Sequence, residues 1–384
     1  MSTFPPGLSR SWAGAALGMA LLTGAPGRAI ILPESKDADD NARLEAQSHQ
    51  EAARHAWVVG LAVRKQGGFG FGTSVYLGES QDGKKAQFLS AAHLFMDDPV
   101  RADRKEPISV TLHFGPQMPA LARDLPPLAA QWVRLHPDFD YVDCMGLDQW
   151  GEPMPARNKV HDLAIVELDI ASVLDFRGKM AACGVRPAIL YDGVGYAKPL
   201  LEAEIVGYGG YGTQSGPAAA NRLKIHQGQT LVTYGGWLGE PACFRQWTRI
   251  SAECMEEMRS GTFGKVHQFV PDFKEILARN ADDGSEVRVK SYRRQARTGC
   301  GDSGGPLLFN SKDKVMKVAG IASHTRAVKL CVDGPARLFW MDVWMPVKDH
   351  LKWILDVRQG LPDSGRVLVF GAAKAAAAAA AGNP

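Results

Sequence analysis

One short motif in the sequence has the residue types that acyl-transfer chemistry needs. Ser303 lies between glycines in the run Gly301-Asp-Ser-Gly-Gly-Pro306. A tight turn at this point can aim the backbone N–H groups of Gly301 and Ser303 at one spot, where they would stabilise the oxyanion of an acyl-transfer intermediate. The motif therefore predicts a serine nucleophile with an oxyanion hole formed by Gly301 and Ser303. A serine that merely completes a turn is the alternative.

Ser303 is a weak nucleophile unless a base lies within hydrogen-bond reach. The Gly-Asp-Ser-Gly-Gly-Pro run resembles the nucleophile motif of the chymotrypsin/trypsin-like serine peptidases. Leu89-Ser-Ala-Ala-His93 is similar to the histidine motif of that family, and His161-Asp-Leu-Ala-Ile-Val-Glu-Leu168 is similar to its aspartate strand. The resemblance implies a triad in which His93 takes the proton of Ser303 and Asp162 orients the imidazole.

The chain contains other histidines and aspartates, but their sequence context differs from that of His93 and Asp162. His136 and His161 lack the apolar strand that precedes His93. Only Asp162 enters an apolar strand, whereas the rival carboxylates lie in a polar loop: Asp138, Asp140, Asp143 and Asp148. The Gly-x-Gly-x-x-Gly pattern at 207–212 leads into Thr-Gln-Ser-Gly-Pro and not into a helix, which indicates a turn and not a dinucleotide site.

The first 29 residues have the features of a secretory signal peptide. They contain two arginines, no acidic residue and an apolar stretch at 12–22 that is too short to cross a bilayer. We expect cleavage after Ala29, with a cut after Arg28 as the alternative. In active members of the family that the motifs resemble, a free apolar N-terminus pairs with the aspartate before the nucleophile. The resemblance therefore implies an activation pair of Ile30 and Asp302, completed by secretion itself.

Six cysteines would remain after that cleavage, an even number that predicts disulfides in an oxidising compartment. The resemblance pairs Cys300 with Cys331 beside the expected cleft. Proximity and exclusion leave two further pairs, Cys243–Cys254 and Cys144–Cys183. No Cys-x-x-Cys or His-Glu-x-x-His pattern is present, so we predict neither a metal site nor a cofactor.

Positions relative to the family motifs also assign residues to the substrate cleft: Arg297, Thr298, Ser323 and Thr325. No carboxylate occurs between residues 292 and 301. Charge complementarity therefore disfavours cleavage after Arg or Lys. We expect a small or apolar side chain before the cleaved bond, or an acidic one attracted by Arg297.

Serial short strands surround these motifs. Apolar runs of strand length, bounded by glycine, proline or charged residues, occur at 57–63, 73–77, 86–90, 108–114, 131–135, 163–168, 201–206, 317–323 and 337–343. Helical patterns are fewer, at 37–55, 271–279 and 346–357. The pattern predicts an all-β fold, and the resemblance specifies two antiparallel six-stranded β-barrels with a C-terminal α-helix.

The expected organisation divides the chain into five parts. A signal peptide at 1–29 precedes an N-terminal barrel at 30–185, which carries His93 and Asp162. A C-terminal barrel at 186–345 carries Ser303. A helix at 346–357 and a low-complexity tail at 358–384 follow, the tail being rich in alanine and expected to lie outside the fold.

Composition limits the class of protein further. The chain has 384 residues with 22% charged residues and a net charge of +3, which excludes wholesale disorder and a multi-span membrane protein. No basic run interleaved with aromatic residues is present, so nucleic acid is not an expected partner. We predict a secreted or periplasmic serine endopeptidase, a monomer without stable membrane insertion, that acts on protein or peptide substrates. An inactive binding module with this fold and an esterase using the same triad are the alternatives.

Overall fold

The structure is a computed structural model that describes part of the chain. The described residues are 31–32, 38–66, 68–100, 107–118, 126–147, 153–192, 201–209, 212–213, 223–234, 237–238, 263–267, 275–279, 286–290, 296, 298–299, 301–310, 315–331, 336–361 and 365–371. Among them, no helix has the length and apolar character that a membrane span requires.

Short strands dominate the described chain, with three α-helices. The strands in order are β1 Ile31–Leu32, β2 Val58–Lys65, β3 Gly68–Glu79, β4 Lys85–Ser90, β5 Pro107–His113, β6 Gln117–Met118, β7 Leu128–Ala130, β8 Trp132–Leu135, β9 Asp140–Leu147, β10 Pro153–Val160, β11 Ala164–Asp169, β12 Leu201–Gly207, β13 Gly212–Thr213, β14 Leu223–Lys224, β15 His226–Tyr234, β16 Trp237–Leu238, β17 Phe263–His267, β18 Glu275–Arg279, β19 Glu286–Lys290, β20 Pro306–Asn310, β21 Met316–Cys331, β22 Ala336–Pro346 and β23 Val367–Val369. The helices are α1 Ala38–Ala52, α2 Phe176–Ala182 and α3 Leu351–Gln359.

The first sheet joins eight antiparallel strands in the order β23-β8-β11-β4-β3-β2-β5-β7. Only Gln131 separates β7, at one edge, from β8, which lies next to the other edge. The sheet must therefore curl until its flanks meet, and the Gln131 N–H donates to the Glu167 carbonyl at 3.0 Å. If β7 and β8 count as one bent strand, six strands enclose the core, as predicted, and β23 is an addition outside them.

The second sheet is a closed barrel of six strands in the order β12-β15-β17-β22-β21-β20. Alternate residues of its strands point inward, as the two-residue period of a strand requires. Ala203 and Ile205 of β12 pack in this way against Leu307 and the fully buried Trp344. The predicted all-β fold with two antiparallel barrels and a C-terminal helix is confirmed in its class.

The two sheets share a buried apolar cluster. Val75, Leu89 and Ile165 on the outer face of the first sheet pack against Ile321 and Val343 of the second barrel. The other faces of the same strands fill the first core, with Phe88 and Val166 among the residues there. Burial on both faces explains why β4 and β11 contain consecutive apolar residues and not a strict alternation of apolar and polar ones. The shared cluster packs the two barrels against each other.

Most sequence-predicted elements are present within a few residues of the expected bounds. The run at 86–90, for example, is β4, and the helix at 346–357 is a 3₁₀ turn at Lys348–His350 followed by α3. The helix at 37–55 is α1, and its Ser48 hydroxyl donates to the Gln227 carbonyl of β15 at 2.6 Å.

The helix predicted at 271–279 is wrong. Residues 275–279 form β18, which pairs with β19 over five residues, Ile276 opposite Val289. The β-branched Val287 and Val289 favour a strand, and the hairpin satisfies backbone groups that a single short helix would leave to solvent. Pairing with a neighbour therefore outweighs the local helical pattern.

The tail predicted to lie outside the fold from residue 358 is partly incorporated in it. Strand β23 pairs with β8, and Phe370 is 5% exposed in the first core. Gly365 has φ +102, and a Cβ there would lie 1.9 Å from the Leu135 carbonyl oxygen, so only glycine permits this approach. The apolar run Val-Leu-Val-Phe overrides the low-complexity composition around it.

The predicted Cys144–Cys183 disulfide is also wrong. Cys183 follows α2 as an exposed free thiol, whereas the backbone of Cys144 lies opposite Ala156 in the β9–β10 hairpin. Proximity in sequence and exclusion, the grounds for that pairing, contain no geometric information. Cys243, Cys254 and Cys300 lie outside the described residues, and Cys331 ends β21.

Candidate active site

His93 lies in a 3₁₀ turn, Ala92–Leu94, immediately after β4. Ala91 and Ala92 are fully buried, and their small side chains let the turn pack closely at the end of the strand. The His93 N–H donates to Asp162 Oδ1 at 2.8 Å. The backbone of the turn is thus anchored to the same carboxylate that the imidazole contacts.

Asp162 lies just before β11, where it is fully buried. Its Oδ2 is 2.7 Å from His93 Nδ1 and accepts a hydrogen bond from Ser323 Oγ at 2.5 Å. Burial by itself raises the pKa of a carboxyl, but the charge and hydrogen bond of His93, then the Lys159 charge and the Ser323 hydroxyl, lower the pKa of Asp162 below its ordinary value. Asp162 is therefore ionised at neutral pH.

Ser303 lies in a turn clamped between the two sheets. Its carbonyl accepts the Thr73 N–H of β3 at 2.8 Å, and the next N–H, of Gly304, donates to the Ala322 carbonyl of β21 at 2.8 Å. Gly304 has φ +85, and a Cβ there would lie 2.1 Å from the Thr73 carbonyl oxygen. The turn therefore requires glycine after Ser303, which accounts for that part of the motif.

The structure brings His93, Asp162 and Ser303 into one hydrogen-bonded chain. His93 Nε2 is 3.0 Å from Ser303 Oγ, and Nδ1 faces Asp162. Burial lowers the pKa of His93 below 6.5, and the Asp162 charge offsets only part of that shift. The resting imidazole is therefore neutral at pH 7, and its Nε2 can accept the Ser303 proton.

Ser323 reaches Asp162 because of a β-bulge. The pairing of β21 with β22 shifts between Ala322 and His324, so Ser323 has no opposite partner in the ladder. A bulge re-aims the side chain of its extra residue. The sequence analysis expects Ser323 to line the substrate cleft; the residue is 3% exposed, and its hydroxyl donates to the Asp162 carboxylate.

The predicted oxyanion-hole residues lie in the same turn. Gly301 has φ +96, and a Cβ at this position would lie 2.7 Å from the Cα of Gly209. A side chain is therefore excluded there. The Gly301 carbonyl accepts the Thr73 hydroxyl at 3.1 Å. Neither the Gly301 N–H nor the Ser303 N–H donates to another residue of the described chain. Both amides thus remain unoccupied by the described residues.

Asp302, the aspartate of the predicted activation pair, is 1% exposed. Its carboxylate accepts the N–H groups of Gly299 at 2.8 Å and Gly209 at 3.1 Å. Burial raises its pKa to about 8, since these two hydrogen bonds only partly oppose the desolvation and the Asp342 charge adds to it. Ile30, its expected partner, lies outside the described residues.

Two of the predicted cleft residues are joined by a residue that the sequence analysis missed. The Thr298 N–H donates to Asp342 Oδ2 and the Thr325 hydroxyl donates to Asp342 Oδ1, both at 2.8 Å. Asp342 is 1% exposed in β22. Residues 292–301 contain no carboxylate, but Asp342 adds one to this region from another strand. Arg297 lies outside the described residues.

Comparisons with known proteins give similarity in structure alone. No protein-family model matches the chain, and no curated protein matches its sequence. Among solved structures, GrC is 17% identical with a TM-score of 0.41, covering 80% of this chain and 95% of its own. The thermostable serine protease AL20 from an extremophilic microorganism is 11% identical with a TM-score of 0.42, covering 81% and 100%.

Two further solved structures are similar at the same level. The protease Anisep from Arthrobacter nicotinovorans is 11% identical with a TM-score of 0.39, covering 79% of this chain and 96% of its own. The scabies mite inactivated protease paralogue S-I1 is 15% identical with a TM-score of 0.38, covering 80% and 96%. At these values the similarities say nothing of activity. The strand topology itself has the arrangement of two antiparallel barrels that the sequence analysis predicts.

One signal in the sequence could have identified Asp342. It is the single carboxylate in the apolar run from Leu338 to Trp344, and a carboxylate in an apolar strand is the same feature that singled out Asp162. Buried carboxylates need partners, so such a residue indicates a polar network at that point. The contact of Ser323 with Asp162 has no comparable signal, because it depends on a bulge.

Proposed function

We propose that the protein is a serine endopeptidase that hydrolyses peptide bonds through Ser303, His93 and Asp162. The observation that carries the proposal is the contact of His93 Nε2 with Ser303 Oγ at 3.0 Å, with Asp162 directly behind the imidazole. A turn serine without a catalytic role has no need of a neutral, carboxylate-backed imidazole at this distance.

The proposed reaction proceeds in two steps. In the first, Ser303 Oγ attacks the scissile carbonyl while its proton moves to His93 Nε2, and the tetrahedral oxyanion accepts hydrogen bonds from the Gly301 and Ser303 N–H groups. The His93 proton then goes to the departing amine, leaving an acyl-enzyme on Ser303. In the second step His93 removes a proton from water, which attacks the ester carbon; the bond to Ser303 Oγ then breaks, the His93 proton returns to that oxygen and the acid is released. Asp162 stabilises the imidazolium in both steps.

The proposal extends to the compartment and to activation. Residues 1–29 act as a signal peptide, the product is secreted or periplasmic, and its substrates are proteins or peptides. The new N-terminus at Ile30 pairs with Asp302, and the protein works as a monomer. Mass spectrometry of the first peptide of the secreted protein tests this proposal, and an N-terminus well downstream of Ile31 would contradict it.

A fluorophosphonate probe tests the enzyme proposal directly, because it reacts only with an activated serine. We expect the processed wild-type chain to be labelled at Ser303, and the Ser303→Ala chain to remain unlabelled. The control Ser80→Ala, which removes a hydroxyl bound to Asp82 far from the triad, should be labelled like wild type. An unlabelled wild type with a confirmed N-terminus would instead support a binding module that keeps the fold.

Matched amide and ester substrates separate the peptidase from an esterase. Both substrates should share one acyl group, so that only the leaving group differs. We expect hydrolysis of the amide that disappears in Ser303→Ala. Turnover of the ester alone would overturn the assignment of peptide bonds while keeping the triad.

A further inference from the structure

Three histidines that the proposed reaction does not use meet next to Asp162. This three-histidine cluster consists of His136, which follows β8, His161, which precedes Asp162, and His350, at the end of the 3₁₀ turn before α3. One ring nitrogen of each lies within 4.8 Å of the other two. Residues far apart in sequence thus present three imidazole nitrogens to one point.

The distances fit a transition-metal ion. Zinc binds imidazole nitrogen at about 2.0–2.1 Å, so two nitrogens on a tetrahedral zinc lie about 3.4 Å apart. His161 Nδ1 and His350 Nε2 are already 3.1 Å apart. The third nitrogen lies within 4.8 Å of these two, so it would have to approach by at most about 1.4 Å to complete the set, which a rotation of its ring can supply.

The surroundings hold His350 as a metal-bound histidine is held, and they can do the same for His136. His350 Nδ1 is 2.7 Å from the Pro346 carbonyl, so it donates there and Nε2 keeps its lone pair. His136 Nδ1 now accepts the Asp138 N–H at 3.2 Å, and the exposed Asp138 carboxylate is 3.9 Å from the same nitrogen. A short rotation lets that carboxylate accept a proton from Nδ1, which frees the other nitrogen for a metal.

The cluster is closed on one side and open on the other. His136 and His350 are each 8% exposed, and the ring of Trp353 packs against His136 with centroids 4.9 Å apart. His161 is exposed. An ion can therefore enter from solvent past His161, and a fourth position faces water.

A hydrogen bond alone explains one of these contacts but not the set. His161 Nδ1–H donating to His350 Nε2 accounts for the 3.1 Å distance. It does not account for the third ring, which stacks on His161 with centroids 5.1 Å apart and an interplanar angle of 10°.

We propose that His136, His161 and His350 form a binding site for one Zn²⁺ ion. Neutral imidazole is a preferred ligand of zinc, and three histidines with an open fourth position are a known ligand set for it. The site would tie the end of β8, the residue before Asp162 and the start of α3 to one another. The ion would bind the folded chain only and so stabilise it.

The test uses the full-length Ser303→Ala chain, which prevents self-cleavage, after treatment with a chelator. Calorimetric titration with ZnCl₂ should show one equivalent bound with a Kd of about 1 µM or tighter. The melting temperature should rise with Zn²⁺ but not with Mg²⁺. Co²⁺ in place of Zn²⁺ should give the visible absorption of a four- or five-coordinate nitrogen site.

Variants locate the ion. His161→Ala changes an exposed residue and should weaken binding at least about tenfold and abolish the Co²⁺ spectrum, and His136→Asn should do the same. His49→Asn, on α1 outside the cluster, is the control and should bind like the parent. Circular dichroism verifies that each variant is folded.

Two results would overturn the proposal. One is the absence of stoichiometric Zn²⁺ binding to the parent chain. The other is binding that survives in folded His161→Ala, which would place the ion elsewhere, for instance at His93. Neither result depends on whether the chain is a peptidase.

Discussion

Ser323 and His93 contact the same oxygen of Asp162. Ser323 Oγ lies 2.5 Å and His93 Nδ1 lies 2.7 Å from Oδ2, while Oδ1 accepts the His93 N–H. The carboxylate is thereby fixed by three donors at full burial. We therefore predict that Ser323, which the sequence analysis expects in the cleft, acts as a positioning residue for the proposed triad.

Ser323→Ala should lower kcat without a large change in KM. A hydrogen bond to an ionised group is worth about 1.5–3 kcal/mol. We expect the transition state to lose enough of this stabilisation to slow the reaction about tenfold or more. Steady-state kinetics on a peptide amide measures this. Ser80→Ala also removes a Ser–Asp hydrogen bond but far from the site, and should keep wild-type kcat. Equal rates in Ser323→Ala and wild type would show that the contact is structural only.

The pH dependence of activity should report His93. Its pKa lies below the ordinary 6.5 because burial disfavours the imidazolium more than Asp162 stabilises it. His93 accepts a proton only when neutral, so kcat/KM should rise with pH through a midpoint below 6.5 and be level at neutral pH. A profile of kcat/KM from pH 4 to 8 tests this. An acidic limb centred above 6.5 would contradict the assigned balance of burial and charge.

Asp302 should make the stability of the unprocessed chain depend on pH. Its pKa in the folded chain is raised to about 8, mainly by burial, from an ordinary value of 3.8. A carboxyl whose pKa is raised on folding contributes its full stabilisation at a pH below its pKa in the unfolded chain. That contribution is lost as the pH rises through the folded-state pKa of about 8. The melting temperature of full-length Ser303→Ala should therefore fall between pH 5 and 9.

The Asp302→Asn exchange in the same background supplies the comparison. It keeps an acceptor for a backbone N–H but cannot ionise, so its melting temperature should fall less over this range. If the processed N-terminus pairs with Asp302, the processed chain should also lose less stability than the full-length chain. Parallel curves for the parent and the Asn variant would exclude a titrating Asp302.

How much the sequence could predict differs between the fold and the site. Strands such as β4 and β11 are recognisable because burial on both faces places apolar residues next to one another in short runs. His93, Asp162 and Ser303 were recognisable because each has a distinctive local context. Contacts that depend on three-dimensional pairing were not. The bulge at Ser323 and the meeting of His136, His161 and His350 involve residues with no common spacing.

The errors have the same origin. The pattern at 271–279 has a helical period, and only pairing with β19 makes residues 275–279 a strand. The Cys144–Cys183 disulfide was inferred by exclusion, and the exposed thiol of Cys183 has no partner in the described chain. Local helix propensity and the number of cysteines contain no information about which distant segment of the chain packs against a given residue.

Asp342 should affect which side chain precedes the cleaved bond. Its carboxylate bridges Thr298 and Thr325, two predicted cleft residues, at 2.8 Å each. A buried negative charge attracts a cationic side chain more strongly than an exposed one. We therefore predict measurable cleavage after Lys or Arg by the wild type. In Asp342→Asn, the ratio of this cleavage to cleavage after Leu should fall about tenfold.

A peptide-library digest compares these preferences in wild type and variant. Asp342→Asn preserves the size of the side chain, so a change confined to basic residues indicates charge. A uniform loss for all side chains would indicate a structural link between Thr298 and Thr325. A wild-type preference for acidic residues would reject the role of Asp342 and restore the expectation based on Arg297.

The end of the chain should contribute to the stability of the first barrel. Strand β23 extends the first sheet at β8, and the Phe370 side chain is 5% exposed in its core. Phe370→Ala should destabilise the fold by about 3 kcal/mol, the usual cost of removing a buried phenylalanine. Urea unfolding of the Ser303→Ala chain measures this. Truncation after Leu361 removes β23 altogether and should destabilise at least as much, whereas truncation after Gly371 keeps β23 and should leave the midpoint near that of the parent. If truncation after Leu361 had no effect, β23 would contribute nothing to the fold.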